Sequence, residues 1–395
     1  MTDKPEKGIR RKPGNGIMIL LLIIAVFFSM AGRAIFPPLM PYLQEELVIS
    51  LTTVGTLFLL SSISFSLVMV FSGFLTAWIG HGNTVVAALV FILVGLVISA
   101  SAVNAMILAV GMICIGAGGG TYAPSGIAII NNKISIEKRS TAFSIHEIGP
   151  NAAILLAPLI VLTSVPLLGW RGVLLLIALL TGLASIAFYI WGTPKSGVGA
   201  KPNLSTIGTI LRLPQAYVGM SIFSTSLAGL HGLYSILPAY LVEHSSMSAE
   251  YVNSLVTLSR VISVFVLFLA GLIIKTMGKR NTIIMVLLFT GMLTGLISVA
   301  EGRMLEIVVV FQPALIAVMF PAQLSCLAEI GEKWYQNVTS AVVITVGMIV
   351  GAGVVPVLVG VLGDWGIGWF GFVSLALMMF LTVVILIFNP SFGTR

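Results

Sequence analysis

Two arginines lie inside long apolar stretches of the chain, Arg33 within residues 17–41 and Arg260 within residues 251–274. If both stretches are membrane-spanning helices, each arginine lies about 12–14 Å from the same bilayer boundary. A charge at that depth costs about 2.5–3.5 kcal/mol and is a candidate for function. Because a guanidinium presents a planar fork of donors that fits a carboxylate, the pair predicts a site for a small organic anion. The alternative is that each arginine pairs with helix carbonyls or a nearby acid and only holds helices together.

A second candidate pair is His146 and Glu147, which lie about six residues into the apolar stretch 141–163. Glu147 is the only acid well inside such a stretch, apart from the boundary residues Glu243 and Glu306. Two interpretations are open. The pair could exchange a proton as its access to water alternates, or Glu147 could form a gate-side ion pair with His146, Lys133 or Arg139.

The composition of the chain is that of a membrane protein. Only 8% of the 395 residues are charged and 58% are hydrophobic, whereas soluble domains carry about 25% charge. This excludes a soluble enzyme and a nucleic-acid-binding domain. A bilayer core needs about 20 apolar residues per helix, so the sequence predicts an all-α integral membrane fold with twelve transmembrane helices. The predicted spans are 17–41, 52–79, 84–103, 106–130, 141–163, 171–191, 217–241, 251–274, 282–300, 304–328, 338–361 and 367–388.

The basic residues predict the orientation. Sixteen of the 20 lie in tails and loops that share one side of the membrane, and two, Arg171 and Arg303, lie on the other. Cytoplasmic loops carry the excess of Lys and Arg. Both termini are therefore expected in the cytoplasm, and the chain is expected to be a multi-pass protein of the plasma (inner) membrane. Cys114 and Cys326 lie in apolar stretches and are interpreted as small buried hydrophobic residues.

An internal repeat fixes the expected architecture. At an offset of 198 residues, segments 39–84 and 237–282 align without a gap and share fourteen of 46 residues. The same offset places His231 at the position of Arg33, with Tyr234 on the same helical face. Both are predicted to line the substrate site, although a lone histidine is often a packing residue. The predicted organisation is a tail (1–16), a six-helix bundle (17–191), a central loop (192–216), a second, parallel six-helix bundle (217–388) and a tail (389–395), with the site between the bundles at mid-membrane.

Two loops resemble a family motif. The segments that begin at Gly73 and Gly271 each place a second glycine seven residues later, at Gly80 and Gly278. This is similar to the Gly-x-x-x-Asp-Arg-x-Gly-Arg-Arg motif of the major facilitator superfamily, although the acid is missing from both copies. The resemblance implies a transporter of two rocking six-helix bundles, and several organic-anion branches of that family use an arginine on the first, seventh or eighth helix. Gly149-Pro150 is similar to the core of the family's antiporter motif, which favours an exporter.

The sequence contains no nucleotide fingerprint, metal-ligand cluster or nucleophile–base pair. We therefore expect no cofactor, no metal and no enzymatic activity, and energy taken from an ion gradient, which supplies about 2.3 kcal/mol per charge per 100 mV. The leading prediction is a proton-coupled symporter of a small organic anion, above all a carboxylate. Its expected partners are the anion, protons (or Na⁺) and the lipid bilayer, with no nucleic acid and a monomeric state. The alternatives are a proton-driven drug or metabolite antiporter, a membrane sensor or lipid-handling protein, and an anion channel.

Overall fold

The computed structural model describes residues 15–192, 204–245, 247–327, 329–332, 336–390 and 392–393, and every regular element in these ranges is helical. The first half contains α1 (Asn15–Ala34), α2 (Phe36–Leu47), α3 (Leu51–Ala100), α4 (Ala105–Lys133), α5 (Ile136–His146) and α6 (Ile148–Trp191). The second half contains α7 (Leu204–Ile210), α8 (Pro214–Leu227), α9 (Leu233–His244), α10 (Ala249–Met277), α11 (Lys279–Leu296), α12 (Gly302–Ile316), α13 (Met319–Leu327), α14 (Gln336–Gly347), α15 (Val355–Asp364) and α16 (Gly368–Phe388). Two π-helical turns, Ala228–Gly232 and Met348–Val354, join α8 to α9 and α14 to α15.

Glycines divide the two longest helices. An unbroken helix of 50 residues would be about 75 Å long, more than twice the thickness of a bilayer core. Instead, α3 is interrupted at Gly80 (φ 78°, ψ 159°) and α6 at Gly169 (φ 64°, ψ 170°). Side chains with a Cβ rarely adopt these positive φ values, so glycine is required at both turns. Each long element is therefore two helices joined by a tight turn.

The structure reproduces the repeat in its backbone. Gly278, the repeat partner of Gly80, has nearly the same dihedral angles (φ 79°, ψ 157°). The threonines that follow, Thr84 and Thr282, each donate a hydrogen bond of 2.8 Å to the carbonyl of the glycine four residues earlier. At the other end of these helices, the repeat-related Ser50 and Ser248 each cap a helix N-terminus. The identities at an offset of 198 thus mark equivalent turns and caps.

The outer surface of the molecule is apolar. Large side chains such as Trp78, Phe268 and Phe388 are at least 80% exposed, which is unfavourable in water and suits contact with lipid. Within the described residues, eight helices are long and apolar enough to cross a membrane. Division of the two longest at Gly80 and Gly169 leaves helical segments at all twelve predicted spans. The all-α fold is confirmed, and the crossing of a bilayer by all twelve segments stays a prediction.

Some predicted boundaries change. The first span is broken at Ile35 into α1 and α2, because Pro37 and Pro38 cannot donate backbone hydrogen bonds. The predicted central loop 192–216 contains α7 and the start of α8, and its residues 193–203 lie outside the described part of the chain. Most of the N-terminal tail 1–16 also lies outside it. In the C-terminal tail, Phe392 is buried rather than free in solvent.

The two halves are joined tightly at one end of the bundle, which we call the closed end. There the Asp364 carboxylate accepts hydrogen bonds from the backbone N–H groups of Leu51 (3.0 Å) and Thr52 (2.9 Å), at the N-terminus of α3. Nearby, Gln44 of α2 donates to Glu243 of α9 at 3.2 Å. Helices α3 and α15 also pack closely, since a Cβ on Gly55 would lie 2.6 Å from the Pro356 carbonyl carbon. The closed end thus combines capped helix termini with close helix packing.

Candidate substrate site

A cavity of about 190 Å³ lies between the halves. Its wall is largely apolar and aromatic, and includes Met30, Phe58, Phe65, Phe223, Phe320 and Met348. Six of the described residues that line it carry polar side chains: Arg33, Ser61, Ser62, His231, Tyr234 and Ser235. Both halves of the chain contribute apolar residues and polar residues to the wall, so a molecule in the cavity would touch both bundles.

Arg33 is the cation of this cavity. It lies in the last turn of α1, and its guanidinium carbon is 4.6 Å from the centre of the Phe65 ring. Gly119 makes room for this arrangement, because a Cβ there would lie 3.0 Å from the Phe65 ring and 3.5 Å from Arg33 Cδ. Among the described residues, no hydrogen bond or ion pair engages the Arg33 side chain. Its five donors are therefore available to a ligand.

His231 and Tyr234 face the same cavity from the second half. His231 lies in the π-helical turn Ala228–Gly232, a type of irregularity that is frequent at functional sites. The Tyr234 hydroxyl donates a hydrogen bond of 3.3 Å to the carbonyl of Ala34. That carbonyl has no helical partner, because the residue four positions later is Pro38. Tyr234 thus satisfies the backbone at the break between α1 and α2.

Arg260 lies behind Tyr234, and it is not among the described residues that line the cavity. It is only 4% exposed, and its guanidinium carbon is 4.2 Å from the centre of the Tyr234 ring. Its Nε and one terminal nitrogen have no hydrogen-bond partner among the described residues. From the sequence, both arginines were expected to face one bound anion. The structure instead places Arg33 in the cavity and Arg260 against the tyrosine that lines it.

His146 and Glu147 form a separate site. His146 is buried, and its Nδ1 lies 3.5 Å from Glu147 Oε1. The Glu147 side chain is 56% exposed, so it is not the buried acid that the sequence suggested. Within the described residues, no ion pair joins Glu147 to Lys133 or Arg139, and Arg139 Nε donates instead to the Ile134 carbonyl. Ile154, the nearest cavity residue along α6, lies seven positions beyond Glu147.

The serines and aromatic residues that line the cavity were not predicted from the sequence. Ser61 and Ser62 are both buried and line the cavity from α3. The sequence carries a signal for one of them, because Ser62 occupies the repeat position of Arg260, 198 residues earlier. Phe58, Phe65 and Phe320 carried no such signal, because phenylalanine is common throughout the apolar stretches.

Comparison with known proteins identifies the family. A sequence model of the Major Facilitator Superfamily matches residues 22–342, whereas comparison with curated protein sequences finds no match. The fold is similar to the crystal structure of a D-xylose–proton symporter, with 14% identity, a TM-score of 0.76 and coverage of 94% of this chain and 97% of that one. It is also similar to a peptide transporter in complex with sulfate, with 14% identity, a TM-score of 0.76 and coverage of 98% and 97%.

A third similar structure is a bacterial homologue of the human lysosomal transporter Spinster, in an inward-facing and occupied conformation. It shares 14% identity and a TM-score of 0.71, over 97% of this chain and 96% of that one. At these identities the three structures establish the fold alone. The repeat, the glycine-spaced loops and the match to the family model lead to one conclusion. The chain is an integral, multi-pass membrane protein that belongs to the major facilitator superfamily.

Proposed function

We propose that the protein is a secondary active transporter that moves a small organic anion across the membrane by alternating access, in symport with protons. The observation that carries this proposal is the Arg33 guanidinium, a cation without an ion-pair partner among the described residues, in an apolar cavity between the two halves. A cation in such surroundings is costly unless a counter-charge joins it. An anionic substrate supplies that charge.

The cavity suits a monoanion with a compact apolar body. Arg33 is the only Lys or Arg among the described residues that line it, so it neutralises one negative charge. His231, Ser61 and Ser62 can add hydrogen bonds to the same head group. The phenylalanine-rich wall would hold the remainder of the molecule. A cavity of about 150 Å³ holds benzene, so 190 Å³ is enough for a small aromatic carboxylate.

The excess of basic residues in one set of loops supports an orientation with both termini in the cytoplasm. In that orientation the closed end faces outward, and Asp364, Gln44 and Glu243 shut the cavity off from the outside. Each chain contains a complete cavity, which supports a monomer as the working unit. We place the protein in the plasma (inner) membrane.

Protons are the proposed coupling ion, with His146 and Glu147 as the coupling pair. The imidazole is buried and the carboxylate is exposed, so the pair spans from the interior of the first bundle to its surface. The D-xylose–proton symporter among the similar structures supports the choice of proton over Na⁺.

A proton-driven drug or metabolite antiporter is the second candidate. The resemblance of Gly149-Pro150 to the antiporter motif favours it, and Gly149 allows close contact between α6 and α1, since a Cβ there would lie 2.8 Å from the Ile23 carbonyl oxygen. The unpaired charge of Arg33 argues against cationic drugs as its substrates.

Counterflow in proteoliposomes separates the two candidates. We expect exchange with monocarboxylates or sulfonates, no exchange with cationic drugs, and loss of exchange in Arg33→Ala. Arg303→Ala, at an exposed position outside the cavity, is the matched control. Exchange of cationic drugs that survives in Arg33→Ala would reject the symporter in favour of the antiporter.

A further inference from the structure

A buried chain of polar contacts lies in the first half, away from the cavity. The Tyr122 hydroxyl of α4 lies 3.0 Å from the Leu22 carbonyl oxygen of α1 and 2.8 Å from His146 Nε2. The other ring nitrogen, Nδ1, faces Glu147 at 3.5 Å. Tyr122 and His146 are both less than 5% exposed. Tyr122 thus joins the proposed coupling pair to the backbone of the helix that carries Arg33.

Only one assignment of protons makes both contacts of Tyr122 hydrogen bonds. The hydroxyl has a single proton and the carbonyl can only accept, so the hydroxyl donates to Leu22. Its oxygen then accepts from the imidazole, which places the imidazole proton on Nε2. In the neutral ring, Nδ1 is left as an unprotonated acceptor, and it has no hydrogen-bond partner among the described residues.

In this arrangement two proton acceptors face each other. Nδ1 carries a lone pair, and the ionised Glu147 oxygen 3.5 Å away carries a negative charge. One added proton turns the contact into an attractive one, either as an imidazolium paired with a carboxylate or as a shared hydrogen bond. The Glu147 carboxylate is exposed at the surface of the protein, and we take it as the entry point of this proton.

We propose that Tyr122 is a positioning residue that fixes His146 as the Nε2–H tautomer, so that Nδ1 and Glu147 together bind a single proton. The proposal rests on the proposed function and assigns its coupling step to named atoms. Binding forms one N–H bond, and release to solvent through Glu147 breaks it.

The surroundings contain few competing charges. Tyr122 belongs to an apolar cluster that includes Leu22 of α1, Ala88 of α3, Ile129 of α4 and Ala142 of α5. The other charged residues and histidines on these elements and on α6 are Arg33 on α1, His81 on α3, Lys133 on α4, Glu137, Lys138 and Arg139 on α5, and Arg171 on α6. None of these forms an ion pair with His146 or Glu147 among the described residues.

The pair lies at the junction of two helices. Glu147 lies between the end of α5 and the start of α6, two residues before the glycine that packs on α1. Leu22, which anchors Tyr122, lies about 16 Å along α1 from Arg33. Attraction between an imidazolium and Glu147 would therefore draw the Glu147 side chain toward the imidazole that Tyr122 holds against α1.

The test is ¹⁵N NMR of histidine-labelled, full-length protein in lipid bilayers, with the His146 signals assigned by their loss in His146→Gln. The protein has four histidines, so the assignment is tractable. At alkaline pH we expect the Nε2–H tautomer for His146, and a mixture of tautomers in Tyr122→Phe. A Nδ1–H tautomer, or spectra unchanged by Tyr122→Phe, would overturn the proposal.

Transport supplies the second readout. Tyr122→Phe should reduce uptake driven by an acid gradient about tenfold and should preserve counterflow, which needs no net proton movement. Tyr217→Phe is the matched control, because Tyr217 also donates to a carbonyl, that of Leu211, but contacts no histidine there. Equal gradient-driven uptake in Tyr122→Phe and wild type would contradict the assigned role. Absence of counterflow in wild type would refute the proposed function and leave the tautomer result standing.

Discussion

The guanidinium of Arg260 lies over the face of the Tyr234 ring, 4.2 Å from its centre. The same tyrosine donates its hydroxyl to the Ala34 carbonyl of the other half. A cation in this position gains about 0.5–2 kcal/mol from the ring. Tyr234 therefore connects a buried charge in the second bundle to the proline-broken helix of the first, and Arg260 acts on the cavity wall through it.

This contact predicts a coupling energy. In a double-mutant cycle of Arg260→Met and Tyr234→Leu, we expect the unfolding free energies to be non-additive by about 0.5–2 kcal/mol. The measurement is thermal or denaturant unfolding of the purified protein in detergent. The cycle with Tyr234→Phe is the control, since phenylalanine keeps the ring and should give a coupling energy near zero. Additive effects of Arg260→Met and Tyr234→Leu would rule out the contact.

Anion binding by Arg33 should depend on the planar shape of its guanidinium as well as on its charge. Lysine keeps the charge but loses the planar fork that engages both oxygens of a carboxylate. We expect Arg33→Lys to weaken monocarboxylate binding by about 10- to 100-fold, since a hydrogen bond to a charged group contributes about 1.5–3 kcal/mol. Equilibrium binding in detergent measures this, with Arg303→Lys as the control. An affinity unchanged by Arg33→Lys would show that the carboxylate is not held by the fork.

The Asp364 carboxylate should stabilise the closed end. It accepts from two free N–H groups at the start of α3, across the boundary between the halves. Loss of a cap costs about 0.5–2 kcal/mol, so Asp364→Ala should populate the state that is open at this end about 2- to 30-fold more. Spin labels at Val103 and Val299, both more than 70% exposed, report the separation in a background with Cys114 and Cys326 replaced by alanine. Glu301→Gln, at an exposed position of the same end, should leave the distances unchanged. A distance distribution that Asp364→Ala also leaves unchanged would contradict this role.

Close packing at the closed end should make Gly55 irreplaceable. A Cβ there would lie 2.6 Å from the Pro356 carbonyl carbon and from Val357 Cα, which are rigid backbone atoms. Gly55→Ala should therefore separate α3 from α15 and lengthen the same spin-label distance. Gly271→Ala is the matched control, because a Cβ at that helical position meets nothing within 4 Å, and alanine there should stabilise the helix by about 1 kcal/mol. Closed-end distances that remain those of wild type in Gly55→Ala would show that the helices tolerate the added methyl group.

Much of the fold could be predicted, because it follows from apolar length and from the repeat. The identical residues at an offset of 198 include glycines that must turn the chain, such as Gly80 and Gly278. Pro37 and Pro38 also carry a local signal, although the extent of the break at Ile35 depends on packing.

The candidate site was less predictable, because the sequence gives the depth of a residue along a helix but not the direction in which it points. Arg260 was expected to line the cavity; its repeat partner Ser62 is among the described residues that line it, and Arg260 is not. Glu147 lies within an apolar stretch, but its side chain is exposed. Helix rotation and hinge geometry are set by tertiary contacts that no single residue encodes.

The proposed anion site at Arg33 can be tested with two ligands that differ in charge at one group. Benzoate and benzamide have nearly the same shape, and only benzoate can pair with the Arg33 guanidinium. Their affinities would be measured by isothermal titration on the purified wild type and on Arg33→Gln. We predict that wild type binds benzoate at least about tenfold tighter than benzamide, as expected for a charge-assisted hydrogen bond, and that Arg33→Gln has no preference. Equal affinities in wild type, or a preference for benzoate that persists in Arg33→Gln, would contradict this prediction.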